Sequence, residues 1–325
     1  MLAWLRRTLR PSFPEDASGK IVPLPRRSPE EALRRLEWTV LRRLDGLLHG
    51  DYRTLFRGYG LDLADLREYQ YGDDVRHIDW NVTARLQAPY VREYHEDREV
   101  TAWFLLDLSP SIDFGSREVR KRAVSEQFVG AVARLLTRHG NRVGALLYGS
   151  GVDRIVPAGG GRAHVLRLLH AMQARKDSRS KRTDLSELLR AAGHMIRRRS
   201  LVFLVSDFYS EPGWTGLLGR LAQRHEVIAV RLYDPLESEL PDLGLVPFRD
   251  AETGEQLLVD THDPAFAQRF AEAARRRETA LRASFAEAGV DALELSTDED
   301  LVDSIRRFIE LRKRRSRIAA KAAAA

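Results

Sequence analysis

From residue 100 onward the sequence alternates short, continuously apolar runs with segments of helical periodicity. Apolar runs of this kind lack the polar face of a half-exposed strand and are typical of parallel strands covered by helices on both sides. We therefore predict an α/β fold with a doubly wound, mostly parallel sheet. The predicted strands cover residues 100–106, 142–148, 154–156, 201–205, 227–232 and 292–295. The predicted helices cover residues 117–139, 163–174, 185–198, 214–225, 265–288 and 300–317.

Four regions are predicted along the chain. Residues 1–29 contain five prolines and are expected to form a mobile leader. Residues 30–99 contain an amphipathic helix over 30–49, with Leu33, Leu36, Val40, Leu44 and Leu47 at helical spacing. A strand follows at 89–94. Residues 100–318 form the main domain, with a β-hairpin insert at 245–260 around Thr253-Gly254, and residues 319–325 form a tail.

Composition excludes several classes of protein. The chain has no cysteine, so disulfides, thiolate nucleophiles and cysteine-bound clusters are excluded. The 53 Lys and Arg against 47 Asp and Glu give a net charge of +6, too small a bias to predict nucleic-acid binding. No apolar run approaches the roughly 20 residues of a membrane span, and Arg6 and Arg7 interrupt any signal peptide. We expect a cytoplasmic protein.

Oxygen-bearing side chains follow the buried strands. Asp107, Ser109 and Ser111 alternate after the first strand, Asp207 follows the strand at 201–205, and Thr183 precedes the helix that leads into that strand. Ligands of open parallel sheets bind beyond the carboxyl ends of the strands. Two carboxylates and three hydroxyls suit a hard cation, so we predict a Mg²⁺ site, with Mn²⁺ or Ca²⁺ as alternatives. An open coordination position would accept a carboxylate from a partner.

Each of these residues also has an ordinary structural interpretation. Asp107, Asp207 and the two serines are common turn or cap residues. Thr183 could simply precede a helix capped by Asp184. The sequence has no phosphate-binding loop and no Gly-x-Ser-x-Gly nucleophile motif, and the second carboxylate of a phosphatase aspartate loop is replaced by a serine.

The combination of Asp-x-Ser-x-Ser at 107–111 with a later threonine and aspartate resembles the metal-ion-dependent adhesion site of von Willebrand factor A domains. Upstream, the motif Leu66-Arg-Glu-Tyr-x-x-Gly-Asp-Asp-Val-Arg-x-Ile-Asp-Trp80 with Thr83-Ala-Arg85 resembles the signature of the DUF58 family. Together the two resemblances cover about residues 58–260. They imply a von Willebrand A or Rossmann-like sheet and an adaptor role beside a MoxR-type AAA+ ATPase. They also imply that Ser109, Ser111 and Thr183 coordinate the metal, the two serines directly, with Asp107 and Asp207 acting largely through water.

The charged segment at 67–85 allows two interpretations. Its aspartates could pair with its arginines while Tyr69, Ile78 and Trp80 anchor it to the domain. Alternatively Asp74, Arg76 and Trp80 could form an exposed partner-binding surface, because Trp and Arg are enriched at interaction hot spots.

The sequence therefore predicts a binding module and not an enzyme. Its metal would hold an acidic side chain of a protein partner. The alternative is a metal-assisted hydrolase that uses the same site, for which no general base other than the two aspartates is evident.

Overall fold

The computed structural model describes most of the chain from residue 101 and only short stretches before it. The described residues are 9–11, 28–36, 40–41, 43–44, 65–70, 75, 78–86, 88–93, 101–116, 119–174, 182–250 and 256–323.

A six-stranded sheet forms the centre of the protein. Its strands are β4 (Thr101–Asp107), β5 (Arg142–Tyr148), β6 (Val152–Gly159), β7 (Leu201–Ser206), β8 (Glu226–Tyr233) and β11 (Asp291–Ser296). They lie in the order β11-β8-β7-β4-β5-β6, and every neighbouring pair is parallel except β5 with β6. The prediction of a mostly parallel α/β sheet is confirmed.

Helices cover both faces of this sheet, because its central strands are apolar on both faces. Phe104 of β4 packs into the core on one face, and the next residue, Leu105, packs into the core on the other. The helices are α1 (Pro29–Leu36), α2 (Trp80–Leu86), α3 (Lys121–Arg138), α4 (Arg162–Gln173), α5 (Leu185–Met195), α6 (Trp214–Arg224), α7 (Pro264–Ala288) and α8 (Leu301–Ala323). The first face is covered by α1, α3, α4 and α8, and the second by α5, α6 and α7.

Two smaller sheets accompany the central one. The predicted hairpin insert is confirmed as β9 (Leu245–Asp250) paired antiparallel with β10 (Gln256–Asp260). β2 (Asp65–Glu68) pairs antiparallel with β3 (Tyr90–Glu93). The prediction of a strand at 89–94 is therefore confirmed, whereas β2 and α2 were not predicted from the charged segment.

The ends of the chain depart from the predicted regions. Residues Leu9–Pro11, within the expected leader, form β1 and pair with β9. Because β1 is an edge strand, the missing N–H of Pro11 is tolerated there. At the other end α8 continues to Ala323 and includes most of the expected tail, since alanine and lysine are strong helix formers. Of the apolar stripe predicted at 30–49, Leu33 and Leu36 are buried in α1, which ends at Leu36. Leu44, beyond α1, is also buried, and Leu47 lies outside the described residues.

The order of the strands decides where a ligand can bind. The chain leaves β4 for β5 on one side, and the strand on the other side of β4 is β7. The chain continues from β4 to β5 and from β7 to β8, so these two connections leave in opposite directions. They open a crevice beyond the carboxyl ends of β4 and β7, where such sheets bind ligands. Asp107 ends β4, and Asp207 directly follows β7.

Within the part of the chain that the structure describes, no helix has both the length and the apolar character needed to cross a membrane.

Candidate functional site

The residues after β4 form a tight oxygen cluster. Asp107 Oδ1 accepts a hydrogen bond of 2.9 Å from the Ser109 amide, which fixes the loop that leaves the strand. Ser109 then precedes a 3₁₀ turn over Pro110–Asp113, and its hydroxyl lies 3.0 Å from the hydroxyl of Ser111. The structure therefore brings these three predicted site residues together.

Ser206, the last residue of β7, joins this cluster from the neighbouring strand. Its hydroxyl donates a 2.6 Å hydrogen bond to Asp107 Oδ2 and accepts one of 2.8 Å from the Phe208 amide. Burial, followed by the negative charge of Asp207, raises the pKa of Asp107 to about 6, although hydrogen bonds from Ser206 and Ser109 act against the shift. Asp107 is thus a buried carboxyl whose negative charge is incompletely compensated.

Asp207 has a different environment, because it is paired with a lysine. Its Oδ1 accepts a 3.1 Å hydrogen bond from the Tyr209 amide, and its Oδ2 lies 2.6 Å from Lys121 Nζ. The same ammonium group lies 2.6 Å from Glu237 Oε1. Burial alone would lower the pKa of Lys121, but the two carboxylates outweigh it and raise the pKa above its ordinary value. Lys121 is therefore a fully charged cation in the interior.

Backbone strain coincides with this position. Phe208, directly after Asp207, has φ of 59°, the one positive value among the described residues other than glycine. Its ring packs against Trp214 and Phe285 at centroid distances of 5.4 and 4.8 Å, and this packing holds the unusual backbone in place. Strained residues of this kind cluster at functional sites.

Thr183 is buried in the loop before α5, and that loop is tied to the others at this edge. Its carbonyl accepts a 2.9 Å hydrogen bond from the Glu211 amide, in the loop after β7. The adjacent Asp184 amide donates to the hydroxyl of Tyr148 at the end of β5 over 3.0 Å. Asp184 also caps α5 by accepting from the Ser186 amide, as the structural interpretation predicts. Thr183 thus reaches the same edge of the sheet as Asp107.

The donor set fits a hard divalent cation. It consists of carboxylate and hydroxyl oxygens only, and a cation beside Asp107 would offset both its burial and the repulsion from Asp207. In the described residues no three His, Cys, Asp or Glu side chains are grouped to hold a metal, so a metal at this edge would need hydroxyl ligands. All five predicted residues are 2% exposed or less: Asp107, Ser109, Ser111, Thr183 and Asp207.

Four further residues at this edge were not predicted. Ser206 and Lys121 contact the aspartates directly, and Glu237 contacts Lys121. Asp234, which follows β8, is fully buried and accepts hydrogen bonds from Ser116, Leu236 and Thr297, so its role is to tie loops together. An Asp-x-x-Glu capping box at 234–237 was the available sequence signal for that turn, and the structure forms it.

The predicted partner-binding residues are only partly described. Asp74 and Arg76 lie outside the described residues. Trp80 begins α2 with 70% of its surface exposed, so it does not anchor the segment as one interpretation required. The buried end of this segment is Asp79, which caps α2 by accepting a 3.2 Å hydrogen bond from the Val82 amide.

Comparison with known proteins identifies the family of this chain. The family described as "Protein of unknown function DUF58" matches residues 65–280, so the chain belongs to the DUF58 family. Its relatives include uncharacterized proteins of Mycobacterium bovis and Mycobacterium tuberculosis, each 38% identical over 284 residues, covering 87% of this chain and 89% of theirs.

Two solved structures are similar to this chain only distantly. One is an aerotolerance-related membrane protein from Bacteroides fragilis, 13% identical with a TM-score of 0.42, covering 66% of this chain and 98% of the other. The second is the conserved hypothetical protein BatB from Bacteroides thetaiotaomicron, 12% identical with a TM-score of 0.40, covering 66% of this chain and 99% of the other.

Proposed function

We propose that this DUF58 protein is a metal-dependent binding module of the von Willebrand A type. Mg²⁺ would be held by Ser109, Ser111 and Thr183, with Asp107 and Asp207 acting largely through water. The ion would bind an acidic side chain of a protein partner. The observation that carries the proposal is the convergence of the Ser109 and Ser111 hydroxyls, 3.0 Å apart, beside the carboxylate of Asp107.

Electrostatics supports a role in binding anions. A bound dication would be the largest local charge, and one of the two aspartates is already paired with Lys121. The ion would therefore keep positive character toward an incoming carboxylate. Because the five residues are buried, that carboxylate can reach the ion only when the loops at this edge part.

The resemblance stated above extends the proposal to a biological role. We propose an adaptor that works in the cytoplasm with a MoxR-type AAA+ ATPase or its substrate. Trp80, which is 70% exposed, would belong to the surface that meets a partner, together with Asp74 and Arg76.

Capture of the partner with and without chelation tests this function. We expect the wild-type protein to retain a partner in Mg²⁺, to lose it in EDTA and to recover it when Mg²⁺ is restored. Ser109→Ala/Ser111→Ala should retain nothing. Ser200→Ala is the matched control, because that serine is equally buried but lies at the amino end of β7. An identical catch in EDTA would contradict the proposal.

One observation favours the alternative of a metal-assisted hydrolase. With its pKa raised to about 6, Asp107 could take up a proton near neutral pH, as a general base must. Turnover of generic phosphoesters that disappears in Asp107→Asn, while Mg²⁺ is still bound, would favour this alternative.

A further inference from the structure

A buried lysine, Lys121, lies beside the candidate metal site. Its side chain has no exposed surface, although a lysine is almost never fully buried unless it is paired. It begins α3, and its ammonium group reaches Asp207 and Glu237 at 2.6 Å each. The rings of Phe114 and Tyr209 flank it at 5.7 and 5.5 Å.

The geometry makes Asp207 the shared member of two sets of charges. On one side its charge acts on Asp107, and on the other it is bound to Lys121. Lys121 in turn divides its single charge between Asp207 and Glu237. Glu237 lies in the turn after β8 and is hydrogen-bonded to neither Ser109 nor Ser111. It therefore influences the charge of Asp207 through Lys121.

We propose that Lys121 is an internal cation of the candidate metal site and that Lys121 and Glu237 together set its affinity for divalent cations. The inference rests on the proposed metal site and adds two positioning residues to it. While Glu237 holds part of the lysine's charge, Asp207 keeps enough negative charge to attract a metal. Without Glu237, Lys121 would be paired with Asp207 alone and would repel the metal more strongly.

Replacing Glu237 and then also replacing Lys121 should change the affinity for Mg²⁺ in opposite directions. Glu237→Gln should weaken Mg²⁺ binding by at least about tenfold, which is the effect of one unit charge on a dication several ångströms away at the full screening of water. Adding Lys121→Met to Glu237→Gln should restore the affinity to the wild-type value or above, because Asp207 is then released from its ion pair. That double variant removes one charge of each sign, so the net charge is unchanged, while the buried Asp207 carboxylate is left without its lysine and is compensated only when a metal binds.

Two more variants separate charge from structure. Glu237→Asp keeps the charge and should bind Mg²⁺ within about threefold of wild type. Glu239→Gln makes the same change of charge at an exposed position two residues away and should have less than a twofold effect. If Lys121→Met does not fold in any background, the comparison of Glu237→Gln with Glu237→Asp and Glu239→Gln decides the question.

The measurement is titration calorimetry of the full chain with Mg²⁺ alone, with thermal unfolding of each variant as the check on folding. Weak binding by Glu237→Gln, with rescue by Lys121→Met or by Glu237→Asp, supports the inference. Equal Mg²⁺ affinities in all variants would overturn it. So would losses of affinity that parallel losses of thermal stability and that neither Lys121→Met nor Glu237→Asp rescues. If the wild-type protein itself binds no Mg²⁺, the proposed function fails, and the inference fails with it.

Discussion

At the scale of single residues, the site depends on how each buried carboxyl is compensated. Asp107 is surrounded by hydroxyl and amide donors and is repelled by Asp207, whereas Asp207 is paired with a lysine. The two aspartates occupy equivalent positions in the sequence but differ in the structure: among the described residues no cation is paired with Asp107, whereas Asp207 is paired with Lys121.

The raised pKa of Asp107 makes the stability of the metal-free protein depend on pH. Because the folded-state value of about 6 lies above the ordinary value of 3.8, the folded state binds this proton more tightly than the unfolded state. The charged form is thus unfavourable, and stability should rise as the pH falls from about 7 toward 4. Denaturant unfolding across this range, compared with Asp107→Asn, measures the effect.

Asp107→Asn should flatten this part of the profile. It should also stabilise the metal-free protein at pH 7 by about 1 to 3 kcal/mol, since about 1.4 kcal/mol corresponds to each pKa unit. Mg²⁺ should then no longer raise its melting temperature. A wild-type protein that is less stable at pH 5 than at pH 7 because of this residue would contradict the assignment.

At the scale of elements, the site depends on helix caps that fix its loops. Asp184 caps α5 next to Thr183, and Asp263 caps α7 by the same bond to the amide two residues on, at 2.8 and 2.9 Å respectively. Only the first cap lies next to a predicted metal ligand.

Replacing each cap by alanine separates stability from binding. Asp184→Ala and Asp263→Ala should each lower the free energy of unfolding by about 1 kcal/mol, the usual cost of a lost N-cap. Only Asp184→Ala should weaken Mg²⁺ binding in calorimetry, because it loosens the loop that carries Thr183. Equal Mg²⁺ affinities in the two variants would argue against Thr183 as a ligand.

The elements of the main domain could be predicted because their sequence patterns are local. The strand at 142–148 was predicted with its observed bounds, since its apolar run is continuous and ends at a glycine. The helix α2 has only seven residues in a segment crowded with charge, too few for a periodic pattern to emerge. Its signal was Asp79, which caps it.

Lys121 could not be assigned from sequence for a different reason. It lies in the basic run Arg120-Lys-Arg122, which resembles a solvated surface, and its two partners are 86 and 116 residues away. This lysine is an interior residue because the end of β7 and the turn after β8 meet at one edge of the sheet. By contrast, Asp107, Ser109 and Ser111 follow one strand, and their proximity is a consequence of local geometry.

At the scale of the whole molecule, the proposed function requires a surface for a partner in addition to the metal site. Exposed and buried tryptophans provide a comparison. Trp80 is 70% exposed, whereas Trp214 is 7% exposed and packs against Phe208 and Phe285.

Trp80→Ala should change the free energy of unfolding by less than about 0.5 kcal/mol, as is usual at the surface. It should nevertheless reduce the Mg²⁺-dependent capture of the partner. Trp214→Ala should cost about 3 to 5 kcal/mol because it empties part of the core. Full capture by Trp80→Ala would remove Trp80 from the proposed interface.

The central claim is that oxygen ligands from β4, β7 and the loop before α5 hold one divalent cation. A crystal structure of the protein in Mn²⁺, with anomalous scattering recorded at the manganese edge, tests it most directly. We expect a single anomalous peak at bonding distance from the Ser109 and Ser111 hydroxyls, with Thr183 turned toward it. A map with no peak at this edge, or with Thr183 directed away from the serines, would contradict the account.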